Sequence, residues 1–156
     1  PGLARLREAG DNSCFVPLLG FEGTRVSYLI DQLDPPGGKI VPVIGVPGFR
    51  PEYPFAAYLG NRRPLLQTQA WKEVRYAVAN CPFDLFYVLQ EIENRFPGHV
   101  LKIAPIGTKP HAIGSVLYAI ANPRTVELVY DHPIRKKRRT GGASRVLTYF
   151  VSSLFG

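Results

Sequence analysis

Methionine is absent from the sequence, even at position 1, and the chain opens inside a polar segment, Pro1 to Asn12. We read it as a piece of a larger protein, with a partner domain expected. Cysteine is scarce. Cys14 and Cys81 lack the spacing of metal ligands, and no cluster of Cys, His, Asp or Glu takes their place, so no metal site is expected. Two reduced thiols suit a cytoplasmic protein; the alternative is a disulfide between them. No apolar run approaches the ~20 residues that span a membrane, and no signal-peptide pattern opens the chain. Ser/His/Asp and Cys/His nucleophile patterns are also missing. Cys81 precedes Pro82 in a loop with no cationic sequence neighbour to activate it. No catalytic residue and no cofactor is assigned.

The residues present are enough for one domain with a real core: 156 residues, 46% of them hydrophobic. The formal net charge of +7 favours a polyanionic partner. Much of that excess sits in one run, Arg135, Lys136, Lys137, Arg138 and Arg139. Such a run is a candidate contact for a nucleic-acid backbone or for an acidic partner domain, although a charge run is more often a solvated loop. It has no interleaved aromatics, so base stacking on single strands is not indicated.

The stretch that organises the chain is 100–120. Val100 to Ala104 is an apolar run broken only by Lys102 and reads as a buried strand. Pro105 to Pro110 is a turn carrying Gly107, Thr108 and Lys109. From His111 the pattern is helical, with Ile113, Val116, Leu117 and Ile120 expected as the apolar face. Strand, glycine turn, helix is an anion-binding arrangement: glycine admits a ligand close to the backbone, and the first helical N–H groups point at it. Thr108 adds a hydroxyl and Lys109 a charge. Neither the P-loop spacing nor G-x-G-x-x-G is present.

The same unit recurs. Cys14 to Leu19 reads as a strand, Gly20-Phe-Glu-Gly-Thr24 as a turn with Thr24 as N-cap, and Val26, Leu29, Ile30 and Leu33 as a helix stopped by Asp34 to Gly38. Ile40 to Val46 is a second run, with Pro42 awkward for a central strand. It ends in a turn bearing Gly48, Phe49 and Arg50, followed by a short helix over Phe55, Ala56 and Leu59 that Gly60-Asn61 closes. Arg62 to Glu73 has no clear period. Val74, Tyr76 and Val78 alternate as in a strand. Asp84 is the expected cap of a helix with Leu85, Val88, Leu89, Ile92 and Phe96 inward and Glu91 and Glu93 outward. Thr125 to Tyr130 and Arg145 to Val151 read as two strands of an antiparallel hairpin with the basic run at its tip.

Alternating strands and helices predict one Rossmann-like α/β domain: a mainly parallel sheet, helices on both faces, and that C-terminal hairpin. The turns at 20–24, 45–51 and 105–110 should then converge on the C-terminal sheet edge, where such folds bind ligands.

Strand, Gly107-Thr108-Lys109, helix of small residues resembles the signature of CRISPR-associated Rossmann-fold (CARF) sensor domains, and is similar to the sensor domains of cyclic-nucleotide anti-phage systems. The resemblance implies that this turn contacts the phosphates of a cyclic oligonucleotide. It also implies that the turn after the first strand, with Gly20, Gly23 and Thr24, closes over a base or ribose. The chain departs from the pattern at Ile106, where the family often has another glycine, and at Pro110, where a bulkier apolar residue is common. The stretch Val46 to Pro51 has no counterpart in it.

The expected ligand-binding residues are therefore Gly20, Glu22, Gly23, Thr24, Gly48, Phe49, Arg50, Gly107, Thr108, Lys109 and His111. Phosphates are expected at Gly107–Lys109 and bases near Phe21, Glu22 and Phe49. A helix N-terminus disfavours imidazolium, so His111 is expected neutral and hydrogen bonding. Asp131 and His132, adjacent on an extended chain, point to opposite faces and are not expected to serve one centre. Three functions compete: a cytoplasmic sensor that binds a nucleotide or cyclic oligonucleotide and regulates an effector or a homodimer; a nucleotide or sugar-phosphate hydrolase or transferase using His111 or Asp131; and a DNA- or RNA-binding accessory domain using the basic run.

Overall fold

Cys14, Val16 and Leu18 face one side of the first strand and Phe15 the other, and all four are buried. A strand covered on both faces belongs to a parallel sheet with helices on each side, and that is the architecture found. The computed structural model describes residues 12–131 and 146–155. In chain order the elements are β1 (Ser13–Leu18), α1 (Gly23–Leu33), β2 (Val43–Gly45), α2 (Tyr53–Gly60), α3 (Arg62–Thr68), β3 (Arg75–Ala77), α4 (Pro82–Arg95), β4 (Val100–Pro105), α5 (Lys109–Ala121) and β5 (Val126–Leu128). The strand order is β3-β2-β1-β4-β5, with every pair parallel. This is a Rossmann-like α/β sheet. α4 and α5 pack on one face with Leu101 and Ile103. Residues of α1, α2 and α3 pack on the other with Phe15, Ile44 and Ala104.

Pro42 is accommodated by keeping β2 short. Val41 donates to Phe15 before it, and the Pro42 carbonyl accepts from Arg75 after it. The stretch 62–73, without a period in the sequence, forms α3 and a 3-10 turn at Ala70–Glu73. Among the described residues no helix is long and apolar enough to cross a membrane.

Among the described residues the expected C-terminal antiparallel hairpin is not formed. β5 comes after the α5 crossover and therefore enters the sheet parallel to β4, pairing Leu101 with Val126 and Ile103 with Leu128. Residues 146–150 carry no strand and lead into a 3-10 turn at Val151–Leu154. A side chain holds this stretch: Tyr149 Oη donates to the Asn80 carbonyl at 2.5 Å. His132 and the basic run Arg135 to Arg139 lie outside the described residues.

The inward face of α5 also differs from the expectation. His111, Gly114, Ser115, Leu117 and Tyr118 are buried, whereas Ile113, Val116 and Ile120 are exposed. Close packing decides this. A Cβ on Gly114 would sit 2.5 Å from the Pro82 carbonyl oxygen, so α5 crosses α4 where only glycine fits. The buried polar groups on that face all find partners. His111 Nε2 meets the Val78 carbonyl at 3.0 Å, Ser115 donates to the Ala112 carbonyl, and the Tyr118 hydroxyl donates to Glu93. Glu93 is thus half-buried and bonded rather than solvated.

Two expected caps move. α1 starts one residue earlier than Thr24, with Glu22 at the N-cap and no side-chain cap bond. α4 is capped by Cys81, whose Sγ accepts from the Asp84 amide. Asp84 sits in the first turn and accepts from the Val78 amide at 2.6 Å.

Candidate functional site

β1 and β4 are neighbours, yet α1 leaves toward one face and α5 toward the other. The diverging helices open a crevice at the C-terminal edge, the topological switch point of the sheet. The turns after β1 and β4 meet there backbone to backbone. A Cβ on Gly20 would lie 2.6 Å from the Ile106 oxygen, and one on Gly107 2.9 Å from the Leu19 oxygen. No side chain fits at either position.

A cavity of about 970 Å³ occupies this crevice, at the upper end of the range for small-molecule sites. All three expected turns reach it. Gly20, Phe21 and Glu22 come from the first, Gly48 and Phe49 from the second, and Gly107, Thr108 and Lys109 from the third. Ile44, Ala57, Ile106 and Ile113 supply apolar surface, and Tyr53 and Tyr149 add aromatic rings.

The backbone amides of Gly107, Thr108 and Lys109 have no acceptor among the described residues. Pro110, next in the helix, has no N–H to offer. The Thr108 hydroxyl, expected to face a ligand, is committed. It caps α5 by accepting from the His111 amide at 3.3 Å and donates to the Ala79 carbonyl at 2.8 Å. The turn therefore presents three consecutive backbone donors and the exposed Lys109 side chain.

Other expected residues are placed elsewhere. Gly23 is buried below the turn, where a Cβ would come within 2.1 Å of the Gly60 oxygen, so its role is close packing. Thr24 is exposed in the first turn of α1 and is not part of the cavity lining. Arg50 is exposed and also outside the lining, its guanidinium 5.9 Å from the Tyr53 ring centre. His111 is 1% exposed and lies under the turn rather than in the cavity. Burial pushes its pKa down, only partly offset by its bonds to the Val78 and Ala77 carbonyls, which favours the neutral ring. That charge state is the one expected, but its partner is the backbone of the 77–78 segment.

Several positions at the site leave no mark in the sequence. Arg25 lines the cavity and grips Asp131 with both Nε and Nη2, the Nε bond being 2.7 Å. The bond to Asp131 raises the guanidinium pKa further. Asp131 is thus one arm of an ion pair that ties α1 to the segment beyond β5. Asn61, fully buried, donates from Nδ2 to the Gly20 and Ala57 carbonyls at 2.7 and 2.8 Å and so pins the first turn. Leu147 and Tyr149 complete the wall from a stretch far along the chain. A glycine turn can be read locally; these long-range contacts leave no local signal.

Among the described residues no group of three or more His, Cys, Asp or Glu could hold a metal ion. No family model matches the chain, and no curated protein is similar to it in sequence.

Proposed function

We propose that this domain is a nucleotide-sensing module. It binds a nucleotide or a cyclic oligonucleotide second messenger in the cavity at the C-terminal sheet edge, and occupancy regulates an effector in anti-phage defence. The observation that carries the reading is the run of three acceptor-free amides, Gly107 to Lys109, in the lining of a mostly apolar and aromatic cavity that also holds Glu22 and Arg25. Such a run suits a phosphate. The flat faces of Phe21 and Phe49 suit a base. α5 starts at the phosphate turn, and its outer face exposes Ile113, Val116 and Ile120. The effector, or a second copy of the chain, reads the state of the site through that helix.

The test is a thermal-shift screen of mono- and dinucleotides, cyclic nucleotides, cyclic oligoadenylates and short DNA, with calorimetry on the hits. A selective shift from a nucleotide is expected. Lys109→Ala should weaken binding about 10- to 100-fold, the worth of a charge-assisted hydrogen bond, with little change in stability because Lys109 is exposed. Unchanged affinity in Lys109→Ala would remove the phosphate assignment. A shift from DNA alone, lost with added salt, would move the function to the basic run.

A further inference from the structure

The cavity lining carries two separate sets of aromatic rings. Phe21 and Tyr53 meet edge to face with ring centres 5.2 Å apart, and Phe49 shares the same lining. These residues come after β1 and β2, on the side of α1 and α2. Tyr149 belongs to the other set. Its hydroxyl donates to the Asn80 carbonyl, and its ring packs edge-on against Phe83 of α4 at 6.2 Å and 88°. No ring contact joins Tyr149 to Phe21, Phe49 or Tyr53 among the described residues. The phosphate turn lies next to the Tyr149 set. Asn80, which holds Tyr149, comes directly after Ala79, whose carbonyl accepts from Thr108.

Two separate aromatic surfaces, with backbone donors in the same lining, match a ligand that has two flat ends and an anion in its linker. A mononucleotide would use one surface and leave the other uncovered. Stacking of successive bases on separate aromatic side chains is the general mode for short single-stranded nucleotides. We propose that Tyr149 is a base-stacking residue and that the cavity takes a dinucleotide unit. Its two nucleobases, joined through a phosphodiester, stack one on Tyr149 and one at Phe21, Phe49 and Tyr53. This rests on the nucleotide reading above and adds the size of the ligand and the residue that reads its second base.

Calorimetric titration of the full chain with the four nucleoside 5′-monophosphates and the matching linear dinucleoside monophosphates tests it. At least one dinucleotide should bind about 10-fold or more tighter than its mononucleotide. Tyr149→Ala should weaken that dinucleotide about 5- to 100-fold and shrink its advantage over the mononucleotide. Tyr149→Phe, which keeps the ring against Phe83, should stay within about threefold of the parent for both ligands. Equal losses for both ligands in Tyr149→Ala would overturn the two-surface arrangement. So would a loss in Tyr149→Phe as large as in Tyr149→Ala, since the hydroxyl tether rather than the stacking face would then matter. Mononucleotides binding as tightly as dinucleotides would sink this proposal and leave the nucleotide reading standing. If no nucleotide bound the parent chain at all, the nucleotide reading itself would fall, and this proposal with it.

Discussion

Gly114→Ala gives a test in which two physical effects predict opposite signs. Gly114 lies inside α5, where alanine is intrinsically better than glycine by about 1 kcal/mol. Judged on helix propensity alone, the variant is stabilised. The packing argues the reverse. The new Cβ would stand 2.5 Å from the Pro82 carbonyl oxygen and 3.2 Å from both Pro82 Cα and Leu85 Cδ2. The carbonyl is backbone at the first turn of α4 and cannot rotate away, so α5 must shift by several tenths of an ångström. Overpacking of this kind costs about 1–3 kcal/mol. Subtracting the propensity gain leaves a net loss of roughly 1 kcal/mol, and up to 2. For a chain of this size that is a fall in Tm of about 2–8 °C. Urea unfolding should show a lower midpoint with an unchanged slope. Because the Gly107–Lys109 turn is the entry to α5, affinity for the proposed nucleotide ligand should fall together with stability. A stabilised Gly114→Ala would refute the close α4–α5 crossing, and with it the explanation of why Ile113 and Val116 face outward.

Burial sets three further outcomes. Tyr118 is 1% exposed and packs edge to face on Phe86 with ring centres 5.0 Å apart. Tyr118→Ala should therefore cost about 3–5 kcal/mol, whereas Ile120→Ala, at a position 63% exposed, should stay within about 0.5 kcal/mol; the reverse order in urea unfolding would put the wrong face of α5 inside. His111 has a folded pKa below its unfolded value of about 6.5, so the unfolded chain takes up the proton first. Stability from this residue is present above that pH and is lost as the pH falls below it, and His111→Gln should flatten the dependence of Tm on pH between about 5 and 7; an unaltered slope would assign the acid sensitivity to other groups. Cys14 is fully buried and its pKa is pushed up to about 12 by desolvation, while Cys81 is partly exposed and unpaired with it. A thiol reagent at mildly alkaline pH should label one cysteine in the native protein and both in denaturant; rapid labelling of both in the native protein would contradict the burial of β1.

The parts of the fold legible in the sequence are those whose cause is local. β1 and β4 are covered on both faces, so each is a nearly unbroken apolar run whichever neighbour it pairs with. The inward side of α4 comes from period alone, because Leu85, Leu89 and Ile92 are large and its outer positions are mostly polar. α5 offers no such contrast. After Lys109 its side chains carry no carboxylate, lysine or arginine, and every side of it has apolar residues. Its orientation is decided by where α4 can come close, which favours Gly114 and Ser115 over Ile113 and Val116. The hairpin expectation fails for a related reason. Whether Val126–Leu128 pairs with a later strand or with β4 depends on the crossover through α5, not on its own residues.

The three glycine turns are legible, but glycine alone does not say why it is there. Gly23 and Gly60 are required by close backbone approach and are not part of the cavity lining, whereas Gly20, Gly48 and Gly107 are required by tight backbone packing and also line the cavity. In the sequence these are one signal. Hydrogen-bond accounting separates them. The first turn is held below by Asn61, and the Thr108 hydroxyl is occupied in capping α5 and binding Ala79. The Gly107, Thr108 and Lys109 amides remain without acceptors among the described residues. Lys109 is exposed and Gly107 and Thr108 are half-buried, and the first amides of a helix have no acceptor within it, so all three are open to an acceptor from outside the chain. The phosphate of the proposed ligand would supply several acceptor oxygens in one group.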